Sequence, residues 1–330
     1  MFWSARAALE DYPSNLFEFE KRFATEDACR TYLAAVRWPE GVRCPRCQSD
    51  RAGPRRAGAR IECAVCQYKA SPTAGTIFDR TRLPLTVWFH AMWLLVHQKN
   101  GASALSLQRQ LGLARYETTW TVWHKLRRAM VRPGRDRVRG TVEVDETYIG
   151  GNEHDVRGRE TYTKALVGIA AEEQGEGIGR IRLATLPNAS GRSLLAFVDA
   201  SIEPGARVHT DGWEGFRGLK AKGYGHDITT IKGSGDEAHV VFPRVHRVAS
   251  LLKRWLLGTH QGGVRPLHLD SYLDEFTFRF NRRTSRSRGQ LFYRLVQQAV
   301  EVEPVHWRDV AAGERRRRLH NYLGLPQSTG

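Results

Sequence analysis

The sequence has no long apolar run. Its longest apolar stretch, around Val87 to Val96, is interrupted by His90 and falls well short of the roughly 18 residues that a membrane span needs. The first residues lack the pattern of a secretory leader, because Glu10, Asp11, Glu18 and Glu20 follow closely on Met1-Phe2-Trp3-Ser4. Both absences point to a cytoplasmic chain with no membrane partner. Cysteine is scarce, at five residues, and four of these fall in two Cys-x-x-Cys pairs. In a cytoplasmic chain that usage speaks for metal and against disulfides. No internal repeat is visible, so a solenoid is not expected.

What is present is charge of one sign. The chain carries 51 Lys and Arg against 35 Asp and Glu, a formal net charge of +16. Such an excess implies a polyanionic partner, DNA or RNA first; a basic but inert surface is the bland alternative. At 330 residues and 41% hydrophobic, the chain is long enough for two or three domains with real cores.

Residues 15 to 36 read as one or two helices whose apolar face includes Leu16, Phe17, Phe19, Phe23, Tyr32, Leu33 and Val36. Cys29, in this stretch, is expected in the core. Helices are also expected over 84–98, 103–110 and 116–130. Residues 131–140 carry Pro133, Gly134 and four arginines, Arg132, Arg135, Arg137 and Arg139, and read as a basic linker. Beyond Gly140 the period changes to that of strands at 141–149, 164–171, 180–186 and 206–210, with a further one at 228–231. Helices follow at 190–202, 245–257, 266–281 and 288–300. The expected architecture is an α/β multidomain chain. Its parts are a helical segment (1–40), a cysteine-bearing ribbon (41–72), a helical domain with a helix-turn-helix (80–131), an α/β domain (140–302) and a basic tail (303–330) containing Arg315 to Arg318.

Cys44-x-x-Cys47 and Cys63-x-x-Cys66, fifteen residues apart, have the spacing of a four-thiolate zinc site. A closed thiolate shell leaves no open position, so such zinc is structural. Arg46, Arg51, Arg55, Arg56 and Arg60 near the knuckles favour DNA as the ribbon's partner; a protein contact is the other reading. Ser103 to Met130 fits a helix, a Gly-containing turn and a longer helix. Arg115, Thr118, Thr119, Thr121, His124, Lys125 and Arg128 would form the polar side of that second helix, able to reach phosphates and base edges. A plain supporting bundle fits the same pattern.

Asp145 lies within Val142-Glu143-Val144-Asp145-Glu146-Thr147-Tyr148-Ile149, and Asp211 ends Val208-His209-Thr210. An acid in mid-strand is costly to bury without a cation. Two carboxylates on neighbouring strands can hold the divalent metal of phosphoryl-transfer chemistry; singly, each also reads as a turn or cap residue.

These segments, together with Thr73-Ala74-Gly75-Thr76-Ile77-Phe78, Leu251-Leu252-Lys253-Arg254 and residues 268–283, give the chain a specific resemblance. It resembles the DDE-type insertion-sequence transposases that carry an N-terminal zinc ribbon, from about residue 15 to 300. The resemblance implies a ribonuclease-H-like mixed sheet with flanking helices and Mg²⁺-dependent cutting and joining of element ends. It also implies DNA partners, namely terminal inverted repeats and target DNA, and a homo-oligomer on that DNA. It assigns Asp145 and Asp211 as the first two catalytic acids. The third should lie seven residues before a Lys on the helix after the sheet; Lys253 is that Lys, and the position holds His246. Imidazole suits transition metals better than Mg²⁺, so Mn²⁺ is expected to serve better. Asp236 or Glu237 could supply the missing charge from a loop, and His246 also reads as a helix-start histidine facing DNA. Lys253 and Arg254, two turns along, are expected to grip phosphate, with Arg279, Arg282 and Arg283 extending that surface or simply forming a solvated face. The competing readings are a catalytically inactive DNA-binding remnant and a repair nuclease of the same fold.

Overall fold

A computed structural model describes residues 11–44, 46–54, 61–132, 134–151, 164–230 and 238–312. The chain forms two compact units. In chain order the helices and strands are α1 (Leu16–Arg22), α2 (Glu26–Arg37), β1 (Ala52–Pro54), β2 (Ile61–Cys63), β3 (Lys69–Ala70), α3 (Leu85–His97), α4 (Ala104–Leu111), α5 (Tyr116–Ala129), β4 (Thr141–Ile149), β5 (Ala165–Gln174), β6 (Gly177–Leu186), α6 (Gly191–Ser201), β7 (Arg207–Thr210), β8 (Gly225–Ile228), α7 (Ala238–Val241), α8 (Pro243–His260), α9 (Leu269–Phe280), α10 (Arg288–Glu301) and α11 (Trp307–Ala311).

The first unit comprises Met1–Pro133 with Thr284–Val310. Its helices start where side chains can cap them. Asn15 accepts the Glu18 amide at α1, Thr25 that of Ala28 at α2, Ser103 that of Ser106 at α4, and Ser287 that of Gln290 at α10. The core is aromatic. Phe19 stacks on Trp93 at 4.5 Å, Phe23 meets Phe89 edge-on at 4.9 Å, and Phe292 of α10 lies 5.4 Å from Phe19 and 5.6 Å from Phe89. The sequence assigns a helix over 288–300 to the catalytic region, but α10 packs among these N-terminal helices. The start of α10 presses so closely on the chain that a Cβ at Gly289 would collide with the Pro13 carbonyl. Cys29 is fully buried as expected, and burial pushes its thiol up to about 12.

Helices α4 and α5 flank a turn in which Gly112 adopts a left-handed conformation, φ 62°, a backbone state that glycine enters freely. Within α5 the polar side is narrower than the sequence implies. Thr119 and His124 are buried, with His124 packed 4.1 Å from Trp120. Thr118, Thr121, Lys125 and Arg128 remain as a stripe at helical spacing.

The second unit comprises Gly134–Arg283 and Ala311–Gly330. Its five-stranded sheet runs β6-β5-β4-β7-β8. β5 runs antiparallel to both β4 and β6, whereas β7 runs parallel to β4 and β8 parallel to β7. This mixed sheet with helices on both faces is the expected ribonuclease-H-like arrangement. Alternation along the strands sorts the residues. Val142, Val144, Leu166, Ala170 and Val208 face α6 with Leu194, Phe197 and Val198. Val167, Ile169, Ala171, Ile181 and Leu183 face α8 and α9 with Val245, Val248, Leu252, Leu273 and Phe276. Glu143 and Asp145 lie opposite Ala171 and Ile169 across the β4–β5 ladder, so both acids belong to the α8 face.

Three expectations change here. Residues 134–140, read as a linker, are folded onto the sheet unit. The Val138 amide donates to the Ser201 carbonyl at 2.9 Å, the Glu203 amide donates to the Val138 carbonyl at 2.8 Å, and Val138 is fully buried. Arg182 reaches back to the Asp136 carbonyl, and its burial lowers its pKa to about 10. Among the described residues the last strand is Gly225–Ile228, not the expected 228–231, of which Ile231 lies outside the described residues. The arginines after α9 are also not simply a basic surface. The Arg283 guanidinium donates to the carbonyls of Ile178, Gly179 and Phe280, and Arg282 lies 4.0 Å over the Phe278 ring. Beside them, the Asn281 carboxamide accepts from the Ile181 amide at 2.7 Å and donates to its carbonyl at 3.2 Å. Asp270 accepts the Thr185 amide at 3.1 Å. Side chains of α9 and its C-terminal end thus occupy the outer backbone groups of β6.

Candidate metal centres

The ribbon site is built from two matching knuckles. The Gln48 amide donates to the Cys44 carbonyl at 2.8 Å, and the Gln67 amide to the Cys63 carbonyl at 2.9 Å. Gln48 and Gln67 both take positive φ, 58° and 53°, which turns each second cysteine back toward the first. β1, β2 and β3 form a three-stranded antiparallel sheet that sets Ala52 opposite Cys63. Sulfur separations are 3.5 Å for Cys44–Cys66 and 3.6 Å for Cys47–Cys63, with all four ligand atoms within 4.8 Å of one another. Tetrahedral zinc with bonds of about 2.3 Å holds its sulfurs about 3.8 Å apart, so the cluster fits that ion. At Cys63 the Cys66 and Val65 amides lower the thiol's pKa against the effect of burial, whereas hydrogen bonds with the neighbouring cysteines push the Cys47 thiol up. Arg46 and Arg51 flank the site; Arg55, Arg56 and Arg60 lie outside the described residues.

The second site lies on the α8 face of the large sheet. β4 and β7 pair Thr141 with Arg207, Val142 with Val208 and Glu143 with His209. Carried two residues further, that register sets Asp145 level with Asp211, on strands about 4.8 Å apart. Asp211 follows the last residue of β7, and its Oδ1 accepts the Trp213 amide at 2.9 Å. Asp145 Oδ1 accepts the Glu146 amide at 2.8 Å. His246 stands in the first turns of α8, with Nε2 3.9 Å from Asp145 Oδ2. That nitrogen is buried and has no hydrogen-bond partner among the described residues. The buried imidazole nitrogen and the Asp145 carboxylate are donors of kinds that bind divalent cations, and the β4–β7 register sets Asp211 level with Asp145.

Lys253 and Arg254 are exposed further along α8. Lys253 lines a cavity of about 640 Å³ together with Tyr148, Gly151, Lys164, Leu256 and Val264. Lys125 is half-buried, and burial lowers its pKa, with Asp79 opposing. Asp236, Glu237 and Arg315 to Arg318 lie outside the described residues.

Three residues around this site, Glu143, Arg244 and His209, are not singled out by the sequence. Glu143, only 1% exposed, accepts the amides of Arg244 and Val245 at 2.8 and 3.0 Å and the Arg244 guanidinium at 2.8 Å. His209, level with Glu143 on β7, shares a hydrogen bond with Thr229 at 2.8 Å and packs 4.6 Å from the Phe242 ring. The available signal is an acid two residues before Asp145, hence on the same strand face.

Comparison with known proteins places these features. Residues 137–281 match the model of an ISXO2-like transposase domain, and residues 24–69 match a transposase zinc-ribbon domain. The chain thus carries an ISXO2-like transposase domain preceded by a transposase zinc-ribbon domain. A relative from Halobacterium salinarum, described as an uncharacterized protein in transposable element ISH50, is 28% identical over 280 residues, covering 78% of this chain and 92% of its own length. A solved chain in the cryoEM structure of the simian T-cell lymphotropic virus intasome in complex with PP2A regulatory subunit B56 gamma is 13% identical. It matches over 56% of this transposase and 70% of its own length with a TM-score of 0.33, a likeness too loose to bear on fold or function. Among the described residues, no helix of the transposase is long and apolar enough to cross a membrane.

Proposed function

We propose that this transposase cuts DNA at the ends of its mobile element and joins the freed ends to target DNA, at a site made by Asp145, Asp211 and His246. The observation that carries this reading is the buried His246 Nε2, 3.9 Å from Asp145 Oδ2 and without a hydrogen-bond partner among the described residues, on the sheet face where Asp145 stands level with Asp211. In this reading Asp145, Asp211 and His246 hold a divalent cation, Mg²⁺ or Mn²⁺. Such a cation polarises the attacking oxygen and offsets charge on the leaving one. The two carboxylates position the ion from rigid strands, and the neutral imidazole supplies a nitrogen in place of a third negative charge. That donor set favours Mn²⁺. Lys253 and Arg254, exposed on α8, hold phosphates beside the site, and Lys125 and Arg128 do so from the α5 stripe. The four ribbon cysteines hold structural zinc. The protein acts in the cytoplasm as a homo-oligomer on terminal inverted repeats and target DNA.

The test uses purified protein with DNA from both flanks of its gene, in Mg²⁺ or Mn²⁺, with Asp145→Ala as the control. Joined products, stronger in Mn²⁺ and absent in the variant, are expected. His246 in place of a carboxylate favours one other reading, an inactive DNA-binding remnant; binding without cleavage in either metal would establish it. Cleavage without joining would indicate a nuclease instead.

A further inference from the structure

Helix α8 begins without a cap of its own. Phe242 contributes no side-chain hydrogen bond at its N-terminus, and Pro243 occupies the first turn, where its missing N–H does no harm. The next two amides, of Arg244 and Val245, point at the sheet, and both donate to Glu143 Oε2 of β4. Glu143 Oε1 accepts the Arg244 guanidinium at 2.8 Å. That guanidinium continues to the carbonyls of Gly175 and Gly177, at 2.8 and 3.1 Å, and lies 3.4 Å from Glu173. The first turn of α8 is therefore held both from β4 and from the β5–β6 turn. His246 is the very next residue after Val245, and its own amide donates to the Phe242 carbonyl at 3.3 Å.

We propose that Glu143, locked to Arg244, is a positioning residue that sets where His246 meets the cation held with Asp145 and Asp211. This rests on the metal reading above. Glu143 shares the strand face of Asp145, two residues away, yet its oxygens are engaged by the α8 amides and by Arg244. Its charge also sits at the positive end of the helix dipole. It therefore acts through α8 and does not join the ligand set. The two levels of the β4–β7 pair thus divide the work: Glu143 and His209 hold the entry to α8, and Asp145 and Asp211 face the residue that α8 delivers.

The test is Mn²⁺ titration of the full, zinc-loaded chain, followed by electron paramagnetic resonance, for the native protein, Glu143→Gln, His246→Ala and the double variant. Each single change is expected to weaken Mn²⁺ binding about tenfold, the effect usual for partners that orient a ligand. The double variant is expected to bind no more weakly than His246→Ala alone, because the path runs through that ring. A general loss of structure would instead add to the loss of His246. A double variant about a hundredfold weaker than the native protein, or an unchanged affinity in Glu143→Gln, overturns the proposal. If Glu143→Gln does not fold, Arg244→Lys carries the same test. It keeps the backbone bonds to Glu143 while removing the ties to Gly175 and Gly177, and the same non-additivity with His246→Ala is expected. Unchanged Mn²⁺ binding in His246→Ala would overturn the metal reading itself, and the proposal with it; that result is distinct from a failure of Glu143 alone.

Discussion

The zinc ribbon gathers its ligand atoms within a short span of chain, whereas the residues proposed to act on the acid-lined face of the sheet come from far apart. The ribbon takes its four sulfurs from two short knuckles within residues 44–66, each shaped by a bond from one residue to another four places before it. The proposed sheet site would take its groups from β4, from the residue after β7 and from α8, and the clamp that seats α8 joins residues 101 positions apart. Local closure can form, and fail, within its own small segment. Remote closure depends on the whole sheet unit having folded, so damage at one residue is transmitted to the ligands through a helix.

That contrast can be broken by substitution. The largest effect is expected from Cys63→Ser, which removes one of four thiolates. Bound zinc, measured by elemental analysis, should fall from one per chain to near none, while Mn²⁺ binding at the sheet site stays unchanged. Loss of Mn²⁺ binding in this variant would show that the two sites are not independent. A smaller effect is expected from Asn281→Ala. It leaves the Ile181 amide of β6 without its acceptor and should cost the sheet unit about 1–3 kcal/mol, measured by denaturant unfolding; a neutral result would mean that water replaces the carboxamide. The smallest expected effect is a change in acid sensitivity at Glu172→Gln. Burial raises the Glu172 pKa, but its bonds to the Arg180 side chain and to the amides of Arg180 and Arg139 outweigh that and lower it. A lowered folded pKa gives stability that is full above the ordinary carboxylate range and is lost as pH falls through the folded value. Melting curves should therefore decline less steeply with acid in the variant than in the native chain, and identical slopes would remove Glu172 from the account.

The same contrast governs what can be read from the sequence. The ribbon is legible because its spacing is its geometry. Strand β4 is legible because Val142 and Val144 alternate with acids and five of its nine residues are β-branched. Asp145 and Asp211 can be paired on sequence alone because the family resemblance names them. The role of Glu143 cannot, since its partners lie about a hundred residues away. β8 is misplaced because Gly225, His226 and Asp227 have little preference for strand; they are held by pairing with β7. Thr119 and His124 look polar on a helical wheel, but packing turns both inward. The arginine-rich stretch before β4 looks like a tether because its charges are plain, while the backbone bonds of Val138 that dock it are invisible in a list of residue types.

The outer side of β6 has a consequence for assembly. An exposed sheet margin offers its backbone to any extended segment that drifts past, in the same chain or another. Here Asn281, Arg283 and Asp270 already occupy groups along that margin. A margin sealed by its own side chains keeps neighbouring copies from knitting their sheets into an aggregate.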